Sequence, residues 1–493
     1  MTLNYTKRAA VIGAGVAGLA AAIRLAQKKY EVTVFEANDH PGGKLSELTL
    51  KGYRFDAGPS LFTLPQLVDE LYSLWGKDPK KHFKYQKLNK TCKYFYEDGT
   101  IINGFADPGE FATEVEDKTG ENRESVEKAL KNSRFLYDTL SELFMQKSLH
   151  QWQSFISRKA FHAYLNLHKL DFFKTMNQSN ESRFKDKRIV QLFNRYATYN
   201  GSDPYQTPAT MNIIPHLEFN IGAFFPEKGM YNITQSLFDL AREVGVKFNF
   251  GSKVEKIEVE DNVAKGVYCQ GIFHAFEKIV SNMDMVNTYK KLLPSRYAPQ
   301  KLLNQPKSSS ALIFYWGIKQ TFPELELHNI FFSQDYKNEF EYIFNQKKIF
   351  NDPTIYINIT SKYKPDDAPA GGENWFVMIN VPNNSGQNWD KMINEARENI
   401  LKKLSRILKT EIRSLIEAEE ILDPRTIESK TSSYSGALYG NSSNNKYAAF
   451  LRHANFSSKL KNLYFCGGSV HPGGGIPLCL LSAKIVSEIV DLY

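Results

Sequence analysis

Gly13, Gly15 and Gly18 fall in the pattern G-x-G-x-x-G, and Glu36 stands 18 positions after the third glycine. In that spacing the first glycine permits a tight turn and the second lets backbone approach a pyrophosphate. The third lets a helix pack closely on a strand. An acid at position 36 accepts hydrogen bonds from a ribose and repels a 2′-phosphate, so the ligand class is FAD or NAD and not NADP. The elements needed to position these groups occur in order: an apolar strand from Arg8, an Ala/Leu-rich helix, and a second strand ending at Glu36.

The continuation Pro41-Gly42-Gly43-Lys44, followed by Asp56-Ala57-Gly58-Pro59-Ser60, separates FAD from NAD. Two glycines and a cation after the ribose acid let backbone and charge reach a flavin nucleotide's phosphates. Gly58-Pro59 offers a tight turn beside an extended cofactor. A second glycine-rich segment, Leu463 to Lys484, is written for the same ligand. An apolar strand runs into Gly467-Gly468, a bend follows through Gly473, Gly474 and Gly475, and an apolar helix opens at Ile476-Pro477. Proline is tolerated in a helix's first turn, and the unpaired N–H groups there carry positive partial charge, which suits a flavin ring that gains negative charge on reduction.

These two segments resemble the bacterial phytoene desaturase family, the carotenoid desaturases within the larger amine-oxidase-like flavoprotein group. The resemblance is specific in the signature Gly-x-x-x-His-Pro-Gly-x-Gly-x-Pro, matched by Gly467, His471, Pro472, Gly473, Gly475 and Pro477. It extends to Phe225-Pro226-Glu227-Lys228-Gly229-Met230 and to the phrase Val280, Asn282, Asp284. Two positions depart: the family usually has arginine where Lys44 stands and often glycine where Lys228 stands. Lys44 keeps the charge without the bidentate fork. The resemblance implies non-covalent FAD held by Gly13, Ala14, Gly15, Gly18 and Glu36, then Gly43, Lys44, Gly58, Pro59, Ser60 and Leu61. Val254 offers backbone to the adenine, and Asn282, Gly467, Gly468, Gly475, Ile476 and Pro477 complete the set.

The remainder of the chain must present the substrate. Cys92 to Tyr96 is apolar and aromatic, Glu97-Asp98-Gly99-Thr100 is a turn, and residues 76 to 115 read as strands. From Asp107 to about Met176 the pattern is helical, with Pro108 in the first turn and Phe111, Val115, Leu130, Leu136, Leu140 and Leu143 at three- and four-residue spacing. Residues 246 to 281 return to strands, with a hairpin through Val254 and Val263. Residues 306 to 380 continue them, notably from Ser310 and from Trp375, and residues 390 to 418 form an amphipathic helix. The expected fold is α/β (α+β): a Rossmann-type FAD domain from the discontinuous pieces 1–75, 220–290 and 455–493. A β-sheet substrate domain takes 76–106 and 291–454, and a helical membrane-associating subdomain takes 107–219.

Hydrophobic residues are 42% and charged residues 24% of 493, the profile of a soluble globular chain. No run of 18 apolar residues is present, so no spanning helix is expected. Lys7-Arg8 and the apolar stretch after them imitate a signal peptide, but the periodic glycines and Glu36 assign that stretch to the nucleotide unit. Cys92, Cys269, Cys466 and Cys479 lack metal or C-x-x-C spacing and read as reduced thiols in a cytoplasmic protein. Scattered histidines form no ligand set, so no metal is expected, and basic residues interspersed with 54 acids exclude nucleic acid as a partner. Trp152 to Phe173, aromatic and aliphatic with flanking Arg158, Lys159, Lys169 and Lys174, suits a helix lying in an anionic headgroup layer; the alternative is a core helix with solvated lysines.

The resemblance implies a reaction: oxidised flavin takes hydride from an allylic carbon of a polyene, and loss of a neighbouring proton leaves a new double bond. Such a lipophilic carotenoid has no charged handle, so the site should be an apolar tunnel. If an acid or base is needed, Glu218 in His216-Leu217-Glu218 is the candidate, beside a structural reading of the same carboxylate. With one G-x-G-x-x-G unit, electrons are expected to leave to oxygen or a membrane quinone. Overall phrasing leans toward the hydroxycarotenoid 3,4-desaturases. Phytoene and C30 dehydrosqualene desaturases stand as alternatives, as do amine or porphyrinogen oxidases and a non-enzymatic prenyl-binding protein.

Overall fold

The computed structural model describes residues 7–151, 171, 173–445 and 452–492. Its first body is a five-stranded parallel sheet in the order Leu463–Phe465, Lys278–Ser281, Lys7–Ile12, Tyr30–Phe35, Lys247–Asn249. Parallel strands buried on both faces read as continuous apolar runs, which is why Ala9, Ala10 and Val11 are fully buried. The helix Val16–Gln27 crosses from the first strand to the second and is buried on every side, and its Ala-rich sequence lets neighbours approach. The helices Tyr231–Glu243 and Ile476–Ile489 pack on it.

The second body is a seven-stranded mixed sheet, in the order Ile416–Leu422, Ser310–Ile318, Glu373–Val381, Ile355–Ile359, His328–Phe331, Lys90–Phe95, Ile101–Phe105. The helix Trp389–Ile407 covers one face through Ile393, Ile400, Leu401 and Leu404. The expected helix over 390 to 418 is therefore too long. Lys409 takes positive φ, and Ile416–Leu422 leaves as an edge strand antiparallel to Ser310–Ile318. The hairpin Val254–Glu260 and Val263–Cys269 forms as expected and gains a third strand, Ile272–Ala275.

The helical stretch from Asp107 is two helices, Pro108–Thr119 and Arg123–Met145. Asp107 accepts from the Gly109 and Glu110 N–H groups at the first start, and Gly120 at φ 75° ends that helix. Helical structure does not run continuously to Met176: the second helix ends at Met145, and a separate helix, Met176–Glu181, begins after a Thr175 capping box. Residues 152–170 and 172, which hold most of the aromatic and basic stretch, lie outside the described residues. At its end, Phe173 is 94% exposed. Among the described residues, no helix is long and apolar enough to cross a membrane.

Candidate functional site

Both glycine-rich segments meet at Asn282. Its backbone N–H donates to the Ile12 carbonyl at 2.8 Å and its Nδ2 to the Cys466 carbonyl at 3.1 Å, linking the first strand to the last. A Cβ on Gly15 would come 2.8 Å from Asn282 Oδ1, and one on Gly467 would come 2.6 Å from Asn282 Nδ2. Side chains at those glycines would fill the space between the two segments.

Glu36 closes the second strand with both carboxylate oxygens in use. Oε2 accepts the Ala14 N–H at 2.7 Å, and Oε1 accepts from Asn38 backbone and side chain at 2.9 and 3.0 Å. A carboxylate offers about four lone-pair sites, so Oε2 retains one for a ribose hydroxyl. Replacing Glu36 with alanine is expected to weaken FAD binding by about 1.5–3 kcal/mol, the scale of a hydrogen bond to a charged group. A flavin titration measures this, and an unchanged affinity would show the ribose is held elsewhere.

A cavity of about 1440 Å³ opens beside these groups, larger than the roughly 300–1,000 Å³ of a single small-ligand pocket. Gly13, Gly15, Glu36, Gly43, Lys44, Gly58, Pro59, Ser60 and Leu61 line it, with Val254, Asn282, Gly467, Gly468, Gly475, Ile476 and Pro477. Ala14 and Gly18 stand behind that wall: Ala14 anchors Glu36, and a Cβ on Gly18 would lie 3.2 Å from the Gly13 carbonyl carbon. The glycine thus serves helix packing, as its place in the pattern predicts. Asp56 accepts the Met230 and Tyr231 N–H groups at 2.8 and 2.9 Å, so the Phe225–Met230 phrase buttresses the turn at Gly58.

Lys44 sits differently from a free phosphate-binding cation. Its Nζ donates to the Leu438 and Ala437 carbonyls at 2.7 and 3.3 Å, which leaves one N–H for a ligand. Burial pulls its pKa down, and the nearby Asp284 opposes that pull. The signature His471 is structural in its contacts: Nε2 faces the Lys147 carbonyl at 2.8 Å, while Pro472 lines the cavity. Arg452, missed in the sequence because no local pattern marks it, also lines the cavity. Its Nη1 donates to the Tyr439 and Gly468 carbonyls at 2.6 and 3.2 Å, and Nη2 has no partner among the described residues.

The opposite part of the cavity is apolar, with Tyr137, Leu140, Phe144, Ile213, Ile214 and Leu217 on helical segments and Ile313, Ile330, Phe376 and Met378 from the large sheet. Glu218 lines it too, but as the counter-charge of Arg195. The guanidinium donates to Oε1 at 2.8 Å and Oε2 at 3.1 Å, Tyr199 donates to Oε2 at 2.8 Å, and Tyr94, Tyr196 and Tyr199 ring the cation. Among the described residues, no group of His, Cys, Asp and Glu could hold a metal ion.

The residues fit a flavin dinucleotide: a cradle kept open by glycines, a carboxylate on the cavity wall at Glu36, a helix N-terminus at Gly475 to Pro477, and room for a second ligand. Comparison with known proteins agrees. The model of the family described as flavin containing amine oxidoreductase matches residues 16–491. The chain is 52% identical over 484 residues, 98% of its length and 99% of the relative's, to a 1-hydroxycarotenoid 3,4-desaturase of Flavobacterium sp. (strain P99-3). It is 32% identical over the whole of both chains to a 4,4′-diapolycopene oxygenase of Methylomonas sp.. A crystal structure of an oxidoreductase from Methanosarcina mazei shares the fold, with TM-score 0.64 and 16% identity over 98% of this chain and 100% of that one. The chain belongs to the flavin containing amine oxidoreductase family, and its cofactor is FAD.

Proposed function

We propose that this protein is an FAD-dependent carotenoid desaturase that introduces the 3,4 double bond of a 1-hydroxycarotenoid. The observation that carries this reading is the continuity of one cavity from the glycine cradle to a long apolar wall, in a chain 52% identical to an enzyme of that name. When bound, FAD supplies the acceptor for a hydride. The chain's part is position and exclusion. Ile313, Ile330, Phe376 and Met378 put apolar side chains on the cavity wall, against which an uncharged polyene can be aligned while water is kept from the cation that hydride loss creates. Glu218, fixed by Arg195 and Tyr199, serves better as an electrostatic anchor than as a mobile base.

The test supplies the FAD-loaded protein with a 1-hydroxy polyene saturated at C3–C4, and separately with phytoene and a C30 precursor. The expected product is lighter by two hydrogens and absorbs at longer wavelength. Addition of an oxygen atom would overturn the reading in favour of the chemistry named for the Methylomonas relative, and flavin binding with no turnover would favour a binding protein.

The cofactor domain in this reading is built from 1–75, 220–290 and 455–493, the substrate domain from 76–106 and 291–454, and the helical subdomain from 107–219. FAD is held without a covalent bond: burial pushes the Cys479 thiol on the cavity wall up to about 11, so it stays protonated and unreactive. Acid precipitation is expected to leave all yellow colour in the supernatant, and colour in the pellet would refute it. Reduced flavin is reoxidised by oxygen or a quinone, and the protein works at a membrane surface in the cytoplasm. The exposed Phe173 and the neighbouring Lys174 support that placement. Changing Phe172 and Phe173 to Ser and Lys169 and Lys174 to Glu is expected to reduce liposome binding and slow turnover of liposomal carotenoid with the flavin spectrum intact. Unchanged liposome binding would move the docking face elsewhere.

A further inference from the structure

Tyr439 lines the cavity from a segment that the fold pins on both sides. Its backbone N–H donates to Ser308 Oγ at 3.0 Å, and its carbonyl accepts Arg452 Nη1 at 2.6 Å. The ring is wedged between two glycines. A Cβ on Gly474 would overlap Tyr439 Cδ1, and one on Gly201 would lie 2.7 Å from Cδ2. Gly474 precedes Gly475, which opens the helix Ile476–Ile489 at the cavity, and Gly201 ends the helical turn Arg195–Asn200. The closest of these contacts fall on Cβ, Cγ and the two Cδ atoms, the half of the ring away from the hydroxyl.

The hydroxyl has no hydrogen-bond partner among the described residues, and it is not one of the buried orphan atoms shut off from solvent. It therefore keeps accessible surface, on a half-buried side chain of the cavity wall. Burial alone pushes the phenol up to about 12, with no charged group among the described residues acting on it, so it is a neutral donor. Other tyrosines on this wall differ. Tyr199 donates to Glu218 and Tyr315 to the Ala57 carbonyl, both at 2.8 Å, while Tyr356 stands in a row between Ser60 Oγ and His328 Nδ1, 2.7 Å from each. The charges of Asp138 and Glu339 act on Tyr137 and Tyr336.

An accessible O–H is satisfied by water until a ligand displaces it. A hydrocarbon filling the cavity would leave this phenol buried without an acceptor, which is costly, whereas a hydroxyl on the ligand would restore the bond. Location points to the same group. In a 1-hydroxy substrate one methylene separates the hydroxyl-bearing carbon from the C3–C4 bond, so the hydroxyl must lie close to the reacting carbons. Tyr439 meets that need by packing on the bend that presents the helix N-terminus to the cofactor cradle. We propose that Tyr439 is the residue that recognises the substrate's tertiary hydroxyl, its phenol O–H donating to that oxygen. This rests on the desaturase reading above and adds the residue that selects its substrate.

The test is an equilibrium titration of the FAD-loaded protein with an acyclic 1-hydroxy terpenoid and with the matching hydrocarbon, followed by perturbation of the flavin absorbance. The parent is expected to bind the alcohol about ten-fold more tightly, the scale of one hydrogen bond. Tyr439→Phe keeps the ring between Gly201 and Gly474 and removes only the O–H, so it should fold, retain its flavin and bind both ligands equally. Tyr439→Leu replaces it in the titration if Tyr439→Phe does not fold. A parent without preference, or a variant that keeps it, overturns the assignment. So does a Tyr439→Phe protein that purifies without flavin, since the hydroxyl would then belong to the cofactor. Turnover is scored separately: preference for the alcohol without desaturation sinks the proposed reaction and leaves the recognition site standing.

Discussion

Replacing Glu218 with alanine is expected to remove about 3–5 kcal/mol of folding stability, because it leaves the Arg195 cation buried without its counter-charge. The side chains of Arg195 and Glu218 are 5% and 2% exposed, so the guanidinium has little solvent around it to replace the carboxylate. Against a total of about 5–15 kcal/mol for a typical fold, such a loss is visible as a large drop in the urea midpoint. The double replacement Arg195→Met with Glu218→Leu should recover much of it, since a buried pair exchanged for apolar groups is often neutral. A single variant as stable as the parent would show that the charge is relieved by another route. If Glu218 were a catalytic base instead, Glu218→Gln would abolish turnover at unchanged substrate affinity.

The second large effect is expected at Gly58. A Cβ there would overlap the Lys44 carbonyl oxygen and lie 2.8 Å from its carbon, and both partners are backbone that side-chain rotation cannot relieve. Gly58→Ala must therefore push the Gly58 to Leu61 segment away from Lys44, and both border the cavity. Overpacking costs about 1–3 kcal/mol, and the displacement should also deform the cradle. The expected result is a folded protein that purifies with little or no flavin, read as the ratio of flavin to protein absorbance. Full flavin content would mean the segment adjusts without disturbing the cofactor.

The parts of this site that were legible in the sequence are those whose chemistry is local. Gly13 to Glu36 is one strand, helix and strand, and its spacing alone specifies a turn and an acid. Gly467 to Pro477 is equally short-range. The two segments could be assigned to one ligand only through their separate chemistry, and Asn282 is the residue on which they meet in space. The row from Ser60 through Tyr356 to His328 could not be read this way. His328 and Tyr356 are brought together by the pairing of two strands, and Ser60 Oγ reaches the Tyr356 hydroxyl at 2.7 Å from a segment outside any strand, so the three meet only in the fold. Arg195 was hidden for a related reason: it follows a surface-like basic helix start, and its burial depends on tyrosines from three separate positions.

Lys44 and the helix after Asn388 show the other limit. Charge at position 44 points to a phosphate partner; the sequence does not show that the carbonyls of Ala437 and Leu438 also bind this ammonium and leave one N–H toward the cavity. The amphipathic period past Ile407 continued in the sequence for another turn, but sheet pairing with Ser310–Ile318 took residues 416–422 instead. In both cases a partner distant in sequence adds what the local pattern cannot show.

The parallel sheet that bears the cofactor cradle is woven from strands near residues 10, 33, 248, 280 and 464, and this dictates the order of events on the ribosome. Until the last segment is made, the Val16–Gln27 helix has no Ile476–Ile489 helix to cover it, and Lys278–Ser281 lacks its outer strand Leu463–Phe465. Its apolar surface must wait, at a synthesis speed of about 5–20 residues per second, for the last segment to emerge. Non-local pairing of this kind is slow. Flavin capture is therefore expected to follow completion of this sheet, and yield in a recombinant host should depend on chaperone supply during elongation more than on the amount of riboflavin in the medium.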